Sequence, residues 1–219
     1  EPNTYSLESL RFCATGTAPC PIHLLQEIGQ KTKGGLFNGY GLSENSGVCV
    51  LGPITGPNRL GSVGLPFPDL ELRIIDPKTK EEVNQGEIGE ILIKGECVMK
   101  GYWHLPQETK DILTDDGWLH TGDLGRLDED GYLFIVDRIK DIINVRGEKV
   151  SSLEIEMVLE EHPAVTKAAV IGVPDTYWGE RIIAFLTVSE EVTEEKLITF
   201  CKKRLADYKI PSEIRILDH

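Results

Sequence analysis

The stretch Asn38-Gly39-Tyr40-Gly41-Leu42-Ser43-Glu44 continues a short apolar segment, and together they predict a strand near residues 36–40 followed by a turn. The glycines allow a ligand to approach the backbone closely, Tyr40 offers a flat face for a base, and Ser43 can donate to a phosphate. Glu44 supplies the hard oxygen ligand that Mg²⁺ prefers. The alternative is an ordinary strand-to-helix turn around a buried tyrosine, and these seven residues alone leave both interpretations open.

The residues before this stretch predict α/β structure. A strand is predicted at residues 10–14, and a helix is predicted to begin at Pro21 because proline suits a first helical position. We therefore expect residues 1–60 to form the end of a larger wound α/β domain. The apolar residues that recur at helical spacing are Leu24, Leu25 and Ile28.

Beyond residue 60 the pattern changes to short strands separated by Gly, Pro and Asp. Strands are predicted at 70–75 and 90–93, and one helix is predicted to begin near Pro106. Residues 128–131 (Asp-Glu-Asp-Gly) predict a tight hairpin, because Asp-Gly tolerates positive φ. We expect a β-rich, barrel-like subdomain that completes a first domain over residues 1–137.

The last part of the chain predicts a small, mobile α+β domain over residues 138–219. Residues 151–154 (Ser-Ser-Leu-Glu) are a candidate capping box, and strands are predicted at 165–173 and 181–188. Thr193 is predicted to cap a final helix. The apolar stripe of that helix is Leu197, Cys201 and Leu205.

Composition limits the kinds of partner. The 219 residues include 23 Lys and Arg against 36 Asp and Glu, so the formal charge of −13 would repel a nucleic acid or an anionic membrane. No apolar run reaches the roughly 20 residues that a membrane helix needs, and the first residues lack a signal peptide. Five cysteines without a Cys-x-x-Cys pair favour free thiols and predict a cytoplasmic protein. The first residue is Glu1 and not Met, from which we expect a piece of a longer protein.

A second chemical element is Trp118-Leu119-His120-Thr121-Gly122-Asp123. The Asp123 carboxylate can accept both hydroxyls of a ribose, and Gly122 lets the sugar approach. For His120 we expect only a packed imidazole with its hydrogen bonds satisfied. A turn-capping carboxylate is the simpler alternative for Asp123.

A third element is the basic segment at 138–149. It carries Arg138, Lys140, Arg146 and Lys149 against two acidic residues, so it is positive within an acidic region. Such a patch can attract an anionic ligand to a protein of opposite overall charge. A solvated hairpin face is the alternative.

On these elements, in this order and register, the chain resembles the C-terminal part of an adenylate-forming enzyme, specifically an acyl-CoA synthetase of the long-chain-fatty-acid:CoA ligase type. The resemblance covers essentially the whole chain. The matching segments are Gly16-Thr17-Ala18-Pro19, Gly39 to Glu44, Gly61 to Pro66, Gly89-Glu90 through Gly101-Tyr102, Thr121-Gly122-Asp123, Asp137 to Asp141 and Tyr208-Lys209-Ile210-Pro211.

The resemblance implies a two-step ligase that uses ATP, Mg²⁺ and CoA. A small carboxylic acid, expected to be a fatty acid, attacks the α-phosphate of ATP to give acyl-AMP and pyrophosphate, and the thiol of CoA then displaces AMP. Neither a nucleic acid nor a transmembrane segment is implied. Small residues at Ser46 and Gly47 would leave room for an acyl chain.

The resemblance also assigns roles to residues. Ser43 and Glu44 are implied to be catalytic, Ser43 by reaching phosphate and Glu44 by holding Mg²⁺, while Tyr40 stacks on adenine. Lys140 falls at a hinge about which the small domain rotates. The residues implied in cofactor binding are Gly16, Thr17, Ala18, Pro19, Asn38, Gly39, Tyr40, Gly41, Asp123 and Arg138 for the nucleotide, Lys140 at the hinge, and Arg146, Gly147, Glu148 and Lys149 near the thiol.

Two departures from the family pattern concern activity. The Ser/Thr/Gly-rich phosphate loop and the catalytic lysine that follows a glycine are absent from these residues, and Lys209 is not that lysine. We therefore expect the chain alone to be inactive in adenylation. Leu42 and the pair Leu119-His120 disfavour an amino-acid-activating domain. A luciferase-like enzyme, a carrier-protein-loading ligase and a non-catalytic nucleotide-binding module remain as alternatives.

Overall fold

The computed structural model describes residues 9–18, 20, 22–32, 35–57 and 59–217, apart from the side chain of His23. The chain divides into two compact units, residues 1–135 and 136–219, whereas the boundary predicted from the sequence is at 137/138. Strands and helices alternate in both units, which confirms the predicted mixed α/β class. None of the helices in the described ranges is long and apolar enough to cross a membrane.

The first unit begins with a four-stranded sheet. Strands β1 (Cys13–Thr15) and β2 (Leu36–Leu42) are parallel, with helix α1 (Ile22–Lys31) between them in the chain. Strands β3 (Gly47–Leu51) and β4 (Leu65–Pro66) extend the sheet in antiparallel fashion, in the order β1-β2-β3-β4. The edge at which β1 and β2 both end is therefore lined by the residues that follow them.

Two predictions for this region need correction, and a third cannot be compared with the structure. The predicted strand at 10–14 begins only at Cys13, and Leu10 and Phe12 are exposed. Leu24 is exposed although its spacing predicts burial, whereas Leu25 lies in the core. The predicted helix start at Pro21 lies outside the described residues.

A second sheet completes the first unit. It contains β5 (Glu71–Ile75), β6 (Gly89–Lys94), β7 (Leu119–Leu127) and β8 (Leu133–Arg138) in that order, and α2 (Pro106–Ile112) precedes β7. Strand β8 begins in the first unit, and its last three residues belong to the second. The hairpin predicted at 128–131 joins β7 to β8, with Gly131 at φ 82° and the Asp128 carboxylate accepting from two backbone N–H groups. This sheet is the predicted barrel-like region. It shares a core with the first sheet, formed by Cys49, Val50, Val63, Ile74, Ile91, Ile93 and Leu133.

The second unit is a five-stranded sheet with two helices. Strands β9 (Ile142–Val145), β10 (Glu148–Ser151), β11 (Val165–Asp175) and β12 (Gly179–Val188) are ordered β10-β9-β12-β11, and β13 (Glu213–Ile216) lies parallel to β12. Helices α3 (Ser152–Glu160) and α4 (Glu194–Lys202) contribute to one core. That core includes Ile155, Leu159, Ala184, Leu186, Leu197 and Cys201.

The predicted caps are confirmed in part. Ser151 accepts from the N–H of Glu154 and caps α3, and Thr193 accepts from the N–H of Lys196 and caps α4. The capping box of α3 lacks its second half, because the Glu154 carboxylate instead accepts hydrogen bonds from Lys209 Nζ at 2.6 and 2.7 Å. A lysine from a distant segment is a stronger partner for a carboxylate than a backbone N–H.

Candidate functional site

The first unit brings Tyr40 and Asp123 together although 83 residues separate them in sequence. The Tyr40 hydroxyl donates to Asp123 Oδ2 at 2.7 Å. Asp123 is only 8% exposed, and Tyr40 is half-buried. Burial, followed by the Asp123 charge, raises the pKa of Tyr40 far above its ordinary value, so the phenol stays a neutral donor.

A strand irregularity directs Asp123 towards Tyr40. Leu92 pairs with His120 and Glu90 pairs with Leu124, so one residue of β6 faces the three residues 121–123 of β7. The Thr121 hydroxyl fixes this bulge by donating to the Ile91 carbonyl at 2.8 Å and accepting from the Asp123 N–H at 3.1 Å. Gly122 has φ 72°, which glycine adopts without strain.

Glycines bring the neighbouring backbone close to Tyr40. A Cβ on Gly41 would lie 1.9 Å from the Gly47 carbonyl oxygen, so only glycine allows β3 to pair with β2 here. A Cβ on Gly16 would lie 3.2 Å from the Gly39 carbonyl oxygen, which places the loop after β1 against the middle of β2. The strand predicted at 36–40 extends to Leu42, so Asn38 to Leu42 are strand residues and the turn begins at Ser43.

The loop after β1 is described only in part. Thr17 has φ 66° and is exposed, as is Ala18, and Pro19 lies outside the described residues. Asn38 pairs with Thr15 at the end of the parallel register. Gly16, Thr17 and Ala18 therefore follow β1 at the same sheet edge as Asn38.

Glu44 lies in a short 3-10 turn, Ser43–Asn45, that follows β2. Its Oε1 accepts from the Tyr102 hydroxyl at 2.6 Å, and its carbonyl oxygen accepts from the Met99 N–H at 2.7 Å. Ser43 is exposed, and Asn45 is 1% exposed with its Oδ1 accepting from the Leu42 N–H at 2.6 Å. The turn therefore presents Ser43 outward and holds Glu44 against residues 97–102.

Tyr102 and Thr121 are functional candidates to which the sequence motifs that contain them assign no role. The Tyr102 hydroxyl donates to the Glu44 carboxylate. The Thr121 hydroxyl donates to the Ile91 carbonyl and accepts from the Asp123 N–H. A Gly-Tyr pair 58 residues after Glu44 carries no local signal for this contact. His120 has a partner, as expected, because its Nδ1 lies 3.1 Å from the buried Glu90 carboxylate.

The second unit holds the remaining predicted residues. Arg138 is the exposed last residue of β8, and Lys140 is exposed in the 3-10 turn Ile139–Asp141. Asp137 is buried before them, and its carboxylate accepts from the Ser151 and Ser152 hydroxyls and the Leu153 N–H. The segment that carries Arg138 is thereby fixed to the first turn of α3.

The predicted loop at 146–149 is shorter than expected. Val145 pairs with Glu148, so only Arg146 and Gly147 form the turn, and Glu148 and Lys149 belong to β10. Arg146 and Gly147 have φ 52° and 88°, the signature of a primed hairpin turn. All four residues are exposed.

Arg146 packs on aromatic residues that are not among those predicted from the sequence. Its guanidinium lies 3.3 Å from the Trp178 ring centroid and 4.9 Å from that of Tyr177. The Arg146 N–H also donates to the Trp178 carbonyl at 2.8 Å. Tyr177 is 74% and Trp178 38% exposed, so the Arg146 charge stands on an aromatic surface between two hairpins.

Glu44 is the one residue predicted from the sequence to hold a metal ion. The described part of the chain contains no group of three or more His, Cys, Asp and Glu side chains placed to hold a metal ion. Mg²⁺ in nucleotide sites is commonly held by one or two carboxylates together with substrate phosphates. Glu44 fits that requirement, since Tyr102 contacts one of its two carboxylate oxygens.

Comparison with known proteins gives matches to two families. Residues 1–103 match the AMP-binding enzyme family, and residues 154–219 match the AMP-binding enzyme C-terminal domain. The chain is 43% identical to a long-chain-fatty-acid–CoA ligase of Bacillus subtilis over 209 residues, covering 94% of this chain and 37% of the relative. It is 40% identical to a 2-succinylbenzoate–CoA ligase of Bacillus licheniformis, covering 96% and 43%.

A solved structure is similar over nearly the whole chain. It is o-succinylbenzoate CoA synthetase (MenE) from Bacillus subtilis with the acyl-adenylate intermediate OSB-AMP, at TM-score 0.89 and 36% identity, covering 97% of this chain and 43% of that chain. The same enzyme in complex with ATP and a magnesium ion gives a TM-score of 0.86. The chain thus spans less than half the length of these proteins.

Proposed function

The chain belongs to the AMP-binding enzyme family of adenylate-forming ligases, and from this we propose that it is part of an ATP-dependent acid–CoA ligase. In the first step, a carboxylate oxygen of the acid attacks the α-phosphorus of ATP. The bond from that phosphorus to the bridging oxygen of pyrophosphate breaks, giving acyl-AMP. In the second step, the CoA sulfur attacks the acyl carbon, AMP leaves, and the thiol proton is released.

The observation that carries the proposal is the hydrogen-bonded pair of Tyr40 and Asp123 beside a glycine-lined sheet edge. A half-buried ring next to a buried carboxylate is what a nucleoside requires, since the base stacks on an aromatic face and the sugar hydroxyls donate to an anion. We assign adenine to Tyr40 and the ribose to Asp123. Gly16, Thr17 and Ala18 would border the base.

Ser43 and Glu44 would serve the phosphates. Ser43 is exposed beside Glu44, so its hydroxyl can donate to a phosphate oxygen. Glu44 would hold Mg²⁺ through its carboxylate, and the ion would neutralise charge on the phosphates. The magnesium ion bound with ATP in the similar MenE structure supports this assignment.

The second unit would serve the nucleotide and the thiol. Arg138 would contact the ribose, Lys140 would lie at the hinge, and Arg146 to Lys149 would border the path of the thiol. The exposed Arg146 charge gives a CoA phosphate a partner. A small domain that rotates about Lys140 would let one active site perform both steps.

A fatty acid is our first candidate for the substrate, although the relatives also include enzymes named for 2-succinylbenzoate. Ser46 and Gly47 are small, but both have positive φ, at 66° and 113°, so the turn itself already restricts the residues at these positions. None of the five cysteines, all of which lie in the described ranges, forms a disulfide in the structure, which suits our proposal of a cytoplasmic location.

The test uses the full-length protein that contains this chain. It is incubated with ATP, Mg²⁺ and single acids from a panel of fatty and aromatic carboxylic acids, and acid-dependent exchange of pyrophosphate into ATP is measured. Addition of CoA should then give AMP and the acyl-CoA in equal amounts, with a fatty acid as the best substrate. Absence of exchange with every acid would refute the ligase, and a preference for aromatic acids would refute only the substrate.

A further inference from the structure

Tyr40 and Asp123 are held to each other from both sides. The backbone of Tyr40 belongs to the β2–β3 pairing, and the Cys49 thiol lies 3.6 Å from its carbonyl oxygen. The backbone of Asp123 is fixed by the Thr121 hydroxyl. The 2.7 Å hydrogen bond from the Tyr40 hydroxyl to Asp123 Oδ2 therefore joins two side chains whose backbones are already fixed.

We propose that the Tyr40 hydroxyl is a positioning group for sugar recognition, holding the Asp123 carboxylate in the orientation that meets the ribose. Tyr40 would thus serve two parts of one nucleotide, the base through its ring and the sugar through its hydroxyl. The inference rests on the proposed nucleotide site and adds a specific role for one oxygen atom.

The contact favours one orientation of the carboxylate. An aspartate side chain that lacks such a partner can rotate about its terminal torsion, which has broad and roughly two-fold preferences. A hydrogen bond to Oδ2 removes that freedom before the ligand arrives, which lowers the entropy cost of binding.

The donor is suited to its role across the working pH range. Burial and the Asp123 charge raise the pKa of Tyr40, so the phenol keeps its proton at neutral and moderately alkaline pH. A phenol also leaves the carboxylate charge in place, and the charge strengthens hydrogen bonds from ribose hydroxyls.

The experiment is a double-mutant cycle on AMP binding, measured by calorimetry on the full-length protein. The four proteins are wild type, Tyr40→Phe, Asp123→Ala and the double variant. We expect Tyr40→Phe to weaken AMP binding about five- to tenfold in the wild-type background. In the Asp123→Ala background it should weaken binding less than about twofold, because its partner is absent.

A second readout separates the sugar from the base. The affinity ratio between AMP and 2′,3′-dideoxy-AMP should fall towards one in Tyr40→Phe, because the carboxylate no longer meets the sugar hydroxyls well. Tyr132→Phe is the matched control, since that tyrosine also lies in the first unit and donates to the Pro57 carbonyl. Its ratio should equal that of the wild type.

The outcomes distinguish the inference from the proposed function. An equal loss from Tyr40→Phe in both backgrounds, or an unchanged ratio, would overturn the positioning role while leaving the nucleotide site intact. A wild-type protein that does not bind AMP would refute both. A Tyr40→Phe protein that no longer unfolds cooperatively would also overturn the inference, because the hydroxyl would then be required for the fold.

Discussion

Replacing Thr121 by valine should damage both the stability of the first unit and its nucleotide site. Valine keeps the branched shape but lacks the hydroxyl that donates to the Ile91 carbonyl and accepts from the Asp123 N–H. Leaving a buried backbone group without its partner costs about 1–3 kcal/mol. With two such groups beside a half-buried side chain, we expect a loss of roughly 2–4 kcal/mol, a large part of the 5–15 kcal/mol that stabilises a typical domain.

Urea unfolding followed by tryptophan fluorescence measures the first effect, because Trp118 is 5% exposed and directly precedes β7. Calorimetry with AMP measures the second, and binding should weaken as the released bulge lets Asp123 move away from Tyr40. Thr121→Ser is the matched control, since it keeps the hydroxyl and should retain most of the stability and affinity. The role given to this hydroxyl is wrong if the free energy of unfolding of Thr121→Val lies within about 0.5 kcal/mol of wild type, the usual effect of a surface substitution, and the variant binds AMP equally well.

Three further predictions concern other parts of the chain. In the full-length enzyme, Lys140→Pro should keep pyrophosphate exchange and lose thioester formation from acyl-AMP, because proline fixes φ near −65° and removes a backbone donor. Lys140→Ala should spare both steps. Equal damage by both variants would contradict a hinge at this residue. Burial, with nearby Asp137, Glu160 and Asp141, raises the pKa of Glu156, so its ionisation opposes folding as the pH rises through that pKa. Glu156→Gln should therefore raise the urea midpoint of the second unit at pH 7, and this gain should disappear below about pH 4, where the glutamate is protonated in both states. An equal gain at both pH values would refute this. The chain alone should bind AMP weakly and without preference for ATP in calorimetry, and a strong ATP preference would show that it contains triphosphate contacts.

The identities of the site residues can be predicted from the sequence better than their contacts can. Tyr40 and Asp123 are recognisable because an aromatic between glycines and an aspartate after glycine are local patterns. Their hydrogen bond depends on a bulge that gives β7 two extra residues opposite β6, and no local pattern predicts that register. The contact of Tyr102 with Glu44 cannot be predicted for the same reason, since 58 residues separate the two.

Element positions follow the sequence where local signals and packing agree. The hairpin at 128–131 forms as predicted because Asp128 and Gly131 meet local needs of the turn. Leu24 departs from the prediction because helical spacing cannot tell which part of an apolar stripe will be covered. The Glu154 side of the α3 cap departs because a distant lysine competes for the carboxylate.

The two carboxylates of the candidate site share a physical arrangement that explains how they can bind different groups. Asp123 and Glu44 each accept a hydrogen bond from a tyrosine hydroxyl, at 2.7 and 2.6 Å. A cationic partner would orient a carboxylate equally well but would also offset its charge, whereas a neutral phenol leaves the full charge for the ligand. Burial and then the Asp123 charge raise the pKa of Tyr40, and the hydrogen bond to Glu44 raises the pKa of Tyr102, so both phenols hold their protons more firmly than a free tyrosine. Both tyrosine hydroxyls therefore remain hydrogen-bond donors, and we expect the two contacts to persist when sugar hydroxyls approach Asp123 and Mg²⁺ approaches Glu44.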